Sequence, residues 1–166
     1  MSDISTLDII IRLIVTFILS AIIGFEREWY RKPAGLRTLV IVGLSSSLFT
    51  IVSFRLRDIF PGSLADPGRI AAQVITGIGF IGAGAIIRAK GSVIGLTTAA
   101  SIFMVSAIGM ACAFGLFTEA IIATILVIIS FYGLSYVVKY ERNKSPIHPP
   151  NKNLIDEEED DGVVMH

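Results

Sequence analysis

Cysteine, histidine and charge are all scarce in this chain. A single cysteine, Cys112, excludes an internal disulfide and a cysteine-rich metal centre. Both histidines, His148 and His166, lie in the polar C-terminal stretch, so the apolar part of the chain has no imidazole for base or ligand. Charged residues are 17% of 166, against about 25% in an ordinary soluble protein. The 14 basic and 14 acidic residues cancel, which implies no nucleic-acid partner. HExxH and GxSxG are missing, and no glycine run ends in the GK[ST] of a phosphate loop. Without a base near it, no hydroxyl or thiol makes a nucleophile. The expectation is therefore a protein that is not an enzyme and needs no cofactor; whether it holds a metal stays open.

Apolar residues take the place of what is missing. They make up 53% of the chain, and the mean hydropathy is +0.73. A soluble domain of this length has too little interior to hide them. Five apolar stretches stand out, at Ile9–Phe25, Leu39–Phe54, Ile70–Ile87, Leu96–Ala113 and Phe117–Val138. About 20 helical residues cross the hydrocarbon core. Lipid demands that backbone groups be satisfied within each segment, and these stretches lack the strict alternation of barrel strands. The predicted fold is all-α, a polytopic transmembrane bundle of five spans. The first stretch has no basic leader, opening with Asp3 and Asp8, and reads as a retained span.

Five spans place the termini on opposite sides. One side holds Arg55, Arg57 and Arg69; the other holds Arg27, Arg31, Lys32, Arg37, Arg88, Lys90, Lys139, Arg142 and Lys144. Basic loops stay in the cytoplasm, so the N-terminus is expected outside and the C-terminus inside. Residues 1–140 then form the membrane domain. Residues 141–166 form an acidic cytoplasmic tail, whose run Asp156 to Asp161 repels itself and suits a solvated chain.

Polar residues within or beside the spans are the candidates for function. Arg12 lies one turn into the first span, four residues after Asp8 and on its face. Glu26 and Arg27 close that span, and a hairpin would bring Glu26 to the depth of Arg37 and Thr38. A helix-end ion pair and a carboxylate pocket for a proton or cation both fit. Asp66 before Pro67 is a good helix start, so capping accounts for it. Arg69 and Gln73 share a face with Thr76, Gly77, Phe80 and Gly84, and this face is expected in the bundle interior. Gly43, Ser46, Thr50 and Ser53 share one quadrant of the second span; Thr97, Ser101 and Cys112 share a face of the fourth. Gly77, Gly79, Gly82 and Gly84 suit close helix packing, or a broken helix that exposes carbonyls.

Three segments carry a more specific signal. They are GFEREW at 24–29 with KPAGLRT at 32–38, then DPGRIAAQVITGIGFIGAGAIIR at 66–88, then GLTTAAS at 95–101 running on to Ala107, Ile108 and Gly109. In this order and spacing they resemble the MgtC/SapB family of bacterial inner-membrane proteins, over about residues 7–138. The resemblance implies a five-span domain in the inner membrane, linked to growth under magnesium limitation and, in pathogens, to survival inside macrophages. Its best-known member restrains the rotary ATP synthase; magnesium transport and acid resistance have also been associated with the family. The best-known members add a soluble regulatory domain where this chain has its acidic tail. Some members have Asn at Thr97 and Cys at Met104, so roles of those side chains do not carry over. The matching positions are Glu26, Arg27, Arg37, Thr38, Asp66, Arg69, Gln73 and the four glycines.

Two functions follow as expectations. One is a membrane regulator that adjusts magnesium, proton or ATP homeostasis by helix contacts with a larger complex, the ATP synthase being the partner the resemblance implies. The other is a homo-oligomeric transporter or channel for magnesium or protons.

Overall fold

The computed structural model describes residues 5–59, 67–89 and 92–144. The chain forms two compact units, residues 1–128 and 129–166. The first holds α1 (Thr6–Trp29), α2 (Leu36–Ile59), α3 (Pro67–Gly84), the strands β1 (Ile87–Ala89) and β2 (Ser92–Ile94), α4 (Leu96–Phe114) and the start of α5 (Phe117–Lys144). In the second, the described residues are the rest of α5. That helix runs past residue 140, and the acidic tail lies outside the described residues.

The helices are those the apolar stretches foretold, each extended by polar ends. α1, α2 and α4 are long and apolar enough to cross a bilayer, while α3 and α5 carry shorter apolar runs, Ala71–Gly84 and Phe117–Gly133. α3 stops at Gly84, three residues before the end of the apolar stretch Ile70–Ile87 seen in the sequence. Ala85 and Ile86 bond back three residues, to Gly82 and Ala83, which tightens the last turn. Ile87 then pairs with Ile94 across a small antiparallel hairpin, the one departure from an all-helical chain among the described residues.

Local chemistry sets the ends. Ser5 and Asp8 form a reciprocal capping box at the start of α1, the Ser5 hydroxyl accepting from Asp8 N and the Asp8 carboxylate from Ser5 N. Asp8 therefore serves the cap, not Arg12. α1 closes with Arg31 N–H donating to Glu28 O and Lys32 N–H to Arg27 O, the paired bonds of a Schellman turn. α4 closes in the same way, with Gly115 donating to Cys112 O and Leu116 to Ala111 O. Gly115 takes the left-handed φ of 81° at no steric cost; Arg31 takes φ 51° with a side chain attached.

The contacts give the helix directions. A Cβ on Gly24 would lie 2.8 Å from Leu36 Cα, so α1 and α2 meet at their connected ends and run opposite ways. The Arg12 guanidinium, at the far end of α1, donates to Ala113 O near the end of α4. Phe54, late in α2, packs edge-on against Phe114, with ring centroids 5.0 Å apart. α2 and α4 therefore run the same way, both against α1. The chain between them has to return, and α3 is the element that does so.

The interior mixes apolar side chains such as Ile23, Leu39, Val105 and Ile108 with small hydroxyls, and large apolar side chains also cover the outside. Ile14, Phe17, Ile18, Ile22 and Phe25 of α1 point outward, while Thr16 and Ser20 are fully buried. Ser46, Ser47 and Thr50 of α2 and Ser101 and Ser106 of α4 are buried with them. Large apolar side chains outside and small hydroxyls inside are what a hydrocarbon solvent selects.

Candidate functional site

The polar interior begins at the α1–α2 end. Glu26 and Arg27 are both buried, and the guanidinium grips the carboxylate through Nε and Nη2, the latter bond 2.6 Å long. A buried carboxylate needs such a partner. Next to it, the Glu28 carboxylate accepts from Leu36 N–H at 2.9 Å and so caps the start of α2 from the preceding helix. Gly35 makes this possible, because a Cβ there would fall 1.8 Å from Glu28 Oε2. The GFEREW and KPAGLRT motifs thus build one joint: a close approach at Gly24, an internal ion pair and a capped α2.

Deeper in, the hydroxyls form a seam between α1, α2 and α4. Most bond to the carbonyl four residues back: Thr16 to Arg12 O, Thr50 to Ser46 O and Ser101 to Thr97 O, all within 2.7–2.8 Å. Ser46 also meets Ser106 at 2.8 Å, tying α2 to α4. Ser20 and Ser47 have buried hydroxyls with no partner among the described residues. At the centre, a Cβ on Gly109 would lie 2.3 Å from Gly43 O, and one on Gly43 would lie 2.1 Å from Ser20 Oγ. The seam is closed by backbone contact there.

Glu26 and Arg27 are inside. Arg37 and Thr38, at the start of α2, are exposed, so the partner of Glu26 is its neighbour Arg27 and not Arg37. Asp66 lies outside the described residues. Arg69 and Gln73 are exposed: the α3 face expected in the bundle interior is turned outward in a single copy. Thr97 is exposed too, and Thr98 takes the buried place. Of the four glycines, Gly82 faces Ala99, with a Cβ at 3.6 Å from its carbonyl oxygen, while Gly77, Gly79 and Gly84 meet nothing within 4 Å. Gln73, Gly77 and Ile81 line one wall of an apolar groove of about 520 Å³; Ile41, Ser45 and Phe49 of α2 line the other.

Two features escaped the sequence reading. Thr16, Ser20, Ile23 and Arg27 form a buried stripe on α1 that helical spacing shows once it is sought. The bond from Arg12 to the end of α4 spans 101 positions and leaves no local signal. Among the described residues no group of three or more His, Cys, Asp or Glu is placed to hold a metal ion.

An outward apolar surface, a hydroxyl-lined interior and several helices long enough to cross define a multi-pass helical membrane protein. The profile of the MgtC family matches residues 13–140, and the chain belongs to that family. YhiD of Escherichia coli K12, which carries a provisional name as a magnesium transporter, is 44% identical over 137 residues, 79% of this chain. SapB of Bacillus subtilis is 40% identical over 136 residues, 80% of this chain, and MgtC of Salmonella typhimurium 41% over 119 residues, 72%. The matched parts are 64%, 59% and 49% of those three proteins, so the chain spans about half to two thirds of their length. No solved structure matches it. The protein is a multi-pass protein of a bacterial membrane and contacts the bilayer.

Proposed function

We propose that this chain is a non-enzymatic regulator in the bacterial inner membrane, tied to magnesium and ion homeostasis, that works by helix contacts with a larger membrane complex. The observation that carries the reading is the outward edge of α3. Ala72, Ile75, Gly79 and Ala83 are exposed there, and a Cβ on Gly79 meets nothing within 4 Å. Small residues on a lipid-facing edge let a foreign helix approach closely. The interior supports the same reading: Glu26 is already held by Arg27, and the Gly43–Gly109 contact closes the seam. With five spans, as the five apolar stretches suggest, the basic-residue count puts the N-terminus outside and the Glu26–Arg27 joint on the cytoplasmic side.

The provisional name of YhiD favours a second reading, a homo-oligomeric magnesium or proton transporter. Mild solubilisation of native membranes, pull-down of the tagged chain and mass spectrometry separate the two. A reproducible hetero-complex, with the ATP synthase the first to look for, that disappears in Gly79→Leu at unchanged protein level supports the regulator. Self-association alone, together with liposome flux abolished by Glu26→Gln, overturns it.

A further inference from the structure

A membrane helix does not leave an amide facing lipid without cost. Gln73 sits in the second turn of α3, at the third position of its apolar run Ala71–Gly84, and its side chain is exposed with no bonding partner among the described residues. On the same face Gly77 and Gly84 are open, and Phe80 stands out with 82% of its surface exposed. Beside Gly77 lies the groove against α2, about 520 Å³, walled by Ser45, Phe49 and Ile81. We propose that this face of α3, Gln73–Thr76–Gly77–Phe80 with its groove, packs on the same face of a second copy of the chain.

The argument for a second copy is that the patch complements itself. A two-fold contact needs each feature and its counterpart on one surface. An amide is both donor and acceptor, so two Gln73 side chains satisfy each other reciprocally. Phe80 is a projecting ring, and the groove that Gln73, Gly77 and Ile81 of the same helix line is an apolar hollow. Gly77 and Gly84 allow the backbones to approach, as small residues do between membrane helices. At 3.6 residues per turn, Phe80, Gln73 and Gly77 lie about 100–160° round the helix from Gly79, with Thr76 between them and that edge. The face centres away from Gly79, and the inference holds whether the protein regulates or transports.

Disulfide trapping in native membranes tests it. The full chain carries Cys112→Ser and one new cysteine, Thr76→Cys or Phe80→Cys on the proposed face, or Ile14→Cys on the lipid-facing side of α1 as control. Copper–phenanthroline oxidation should give a band of twice the monomer mass from the α3 positions and leave Ile14→Cys monomeric. Added to Thr76→Cys, Gln73→Leu should lower the trapped fraction about threefold or more, from the worth of one interhelical bond, while Gln73→Asn retains it. Equal amounts of monomer in each membrane before oxidation confirm that every variant inserts. Monomers at both α3 positions, equal dimer from Ile14→Cys, a cross-link within one chain, or a band containing another protein each overturn the proposal.

Discussion

Gly43 and Gly109 bring the backbones of α2 and α4 into contact. A Cβ on Gly109 would lie 2.3 Å from Gly43 O, with Gly43 Cα also inside ordinary contact distance. The obstacle is main chain, which cannot swing aside as a side chain does. Gly109→Ala should therefore cost about 1–3 kcal/mol, the usual penalty of overpacking. Gly79→Ala, where a Cβ meets nothing within 4 Å, should be neutral or gain about 0.5–1 kcal/mol from the loss of a flexible helical residue. Thermal unfolding of both variants in the same detergent checks the contrast; equal effects would refute the crossing.

Arg27 is the buried counter-charge of Glu26. Removing one partner leaves the other charge in a medium that cannot solvate it. Arg27→Ala should cost about 3–5 kcal/mol, and Glu26→Leu with Arg27→Leu should recover most of that loss. A double-mutant cycle on unfolding midpoints measures the coupling; additive losses would mean that the pair is not a unit.

Arg12 donates to Ala113 O at the end of α4, where carbonyls lack partners within the helix and the dipole is negative. Arg12→Met keeps the stem and removes the charge, and should cost about 1–2 kcal/mol. Arg12→Lys should lose less. A Met variant as stable as the parent would show that the contact contributes nothing.

Two Schellman turns end helices in this chain with different residues in the left-handed position. Arg31→Gly should stabilise by about 0.5–1 kcal/mol, because it removes the strain at φ 51°. Gly115→Ala should destabilise by about 1–2 kcal/mol, because it introduces that strain at φ 81°. Opposite signs in one unfolding assay are the expected result.

Ser46 and Ser106 share a bond at 2.8 Å between α2 and α4. Ser106→Ala should cost about 1 kcal/mol or less, since Ser46 keeps its bond to Val42 O at 3.0 Å. A larger loss would indicate that the seam acts as a network.

Much of the fold was legible because hydrocarbon imposes it. Apolar length sets the helices, and the hydroxyl quadrant of α2, at Gly43, Ser46, Thr50 and Ser53, is buried as its spacing required. The α1 stripe from Thr16 to Arg27 was legible in the same way and went unread. The third helix misled. Its polar face from Arg69 to Gly84 was expected inside, and in a single copy Ile78 and Gly82 point inward instead. In water, burial has a sign that names the inner face. In lipid, apolar side chains are at home on either side, so the pattern of α3 marks a special face without saying what covers it.

Composition and periodicity alone determined that the chain crosses a membrane as helices and where those helices lie. Those properties follow from solvent and local stereochemistry. Tertiary structure decided the rest: that Glu26 closes on Arg27 and leaves Arg37 exposed, that Arg12 reaches the end of α4, and that the glycines of α3 stay open while Gly43 and Gly109 touch. A helix repeats every 3.6 residues and so presents a face, but which neighbour meets that face depends on how all the helices pack together.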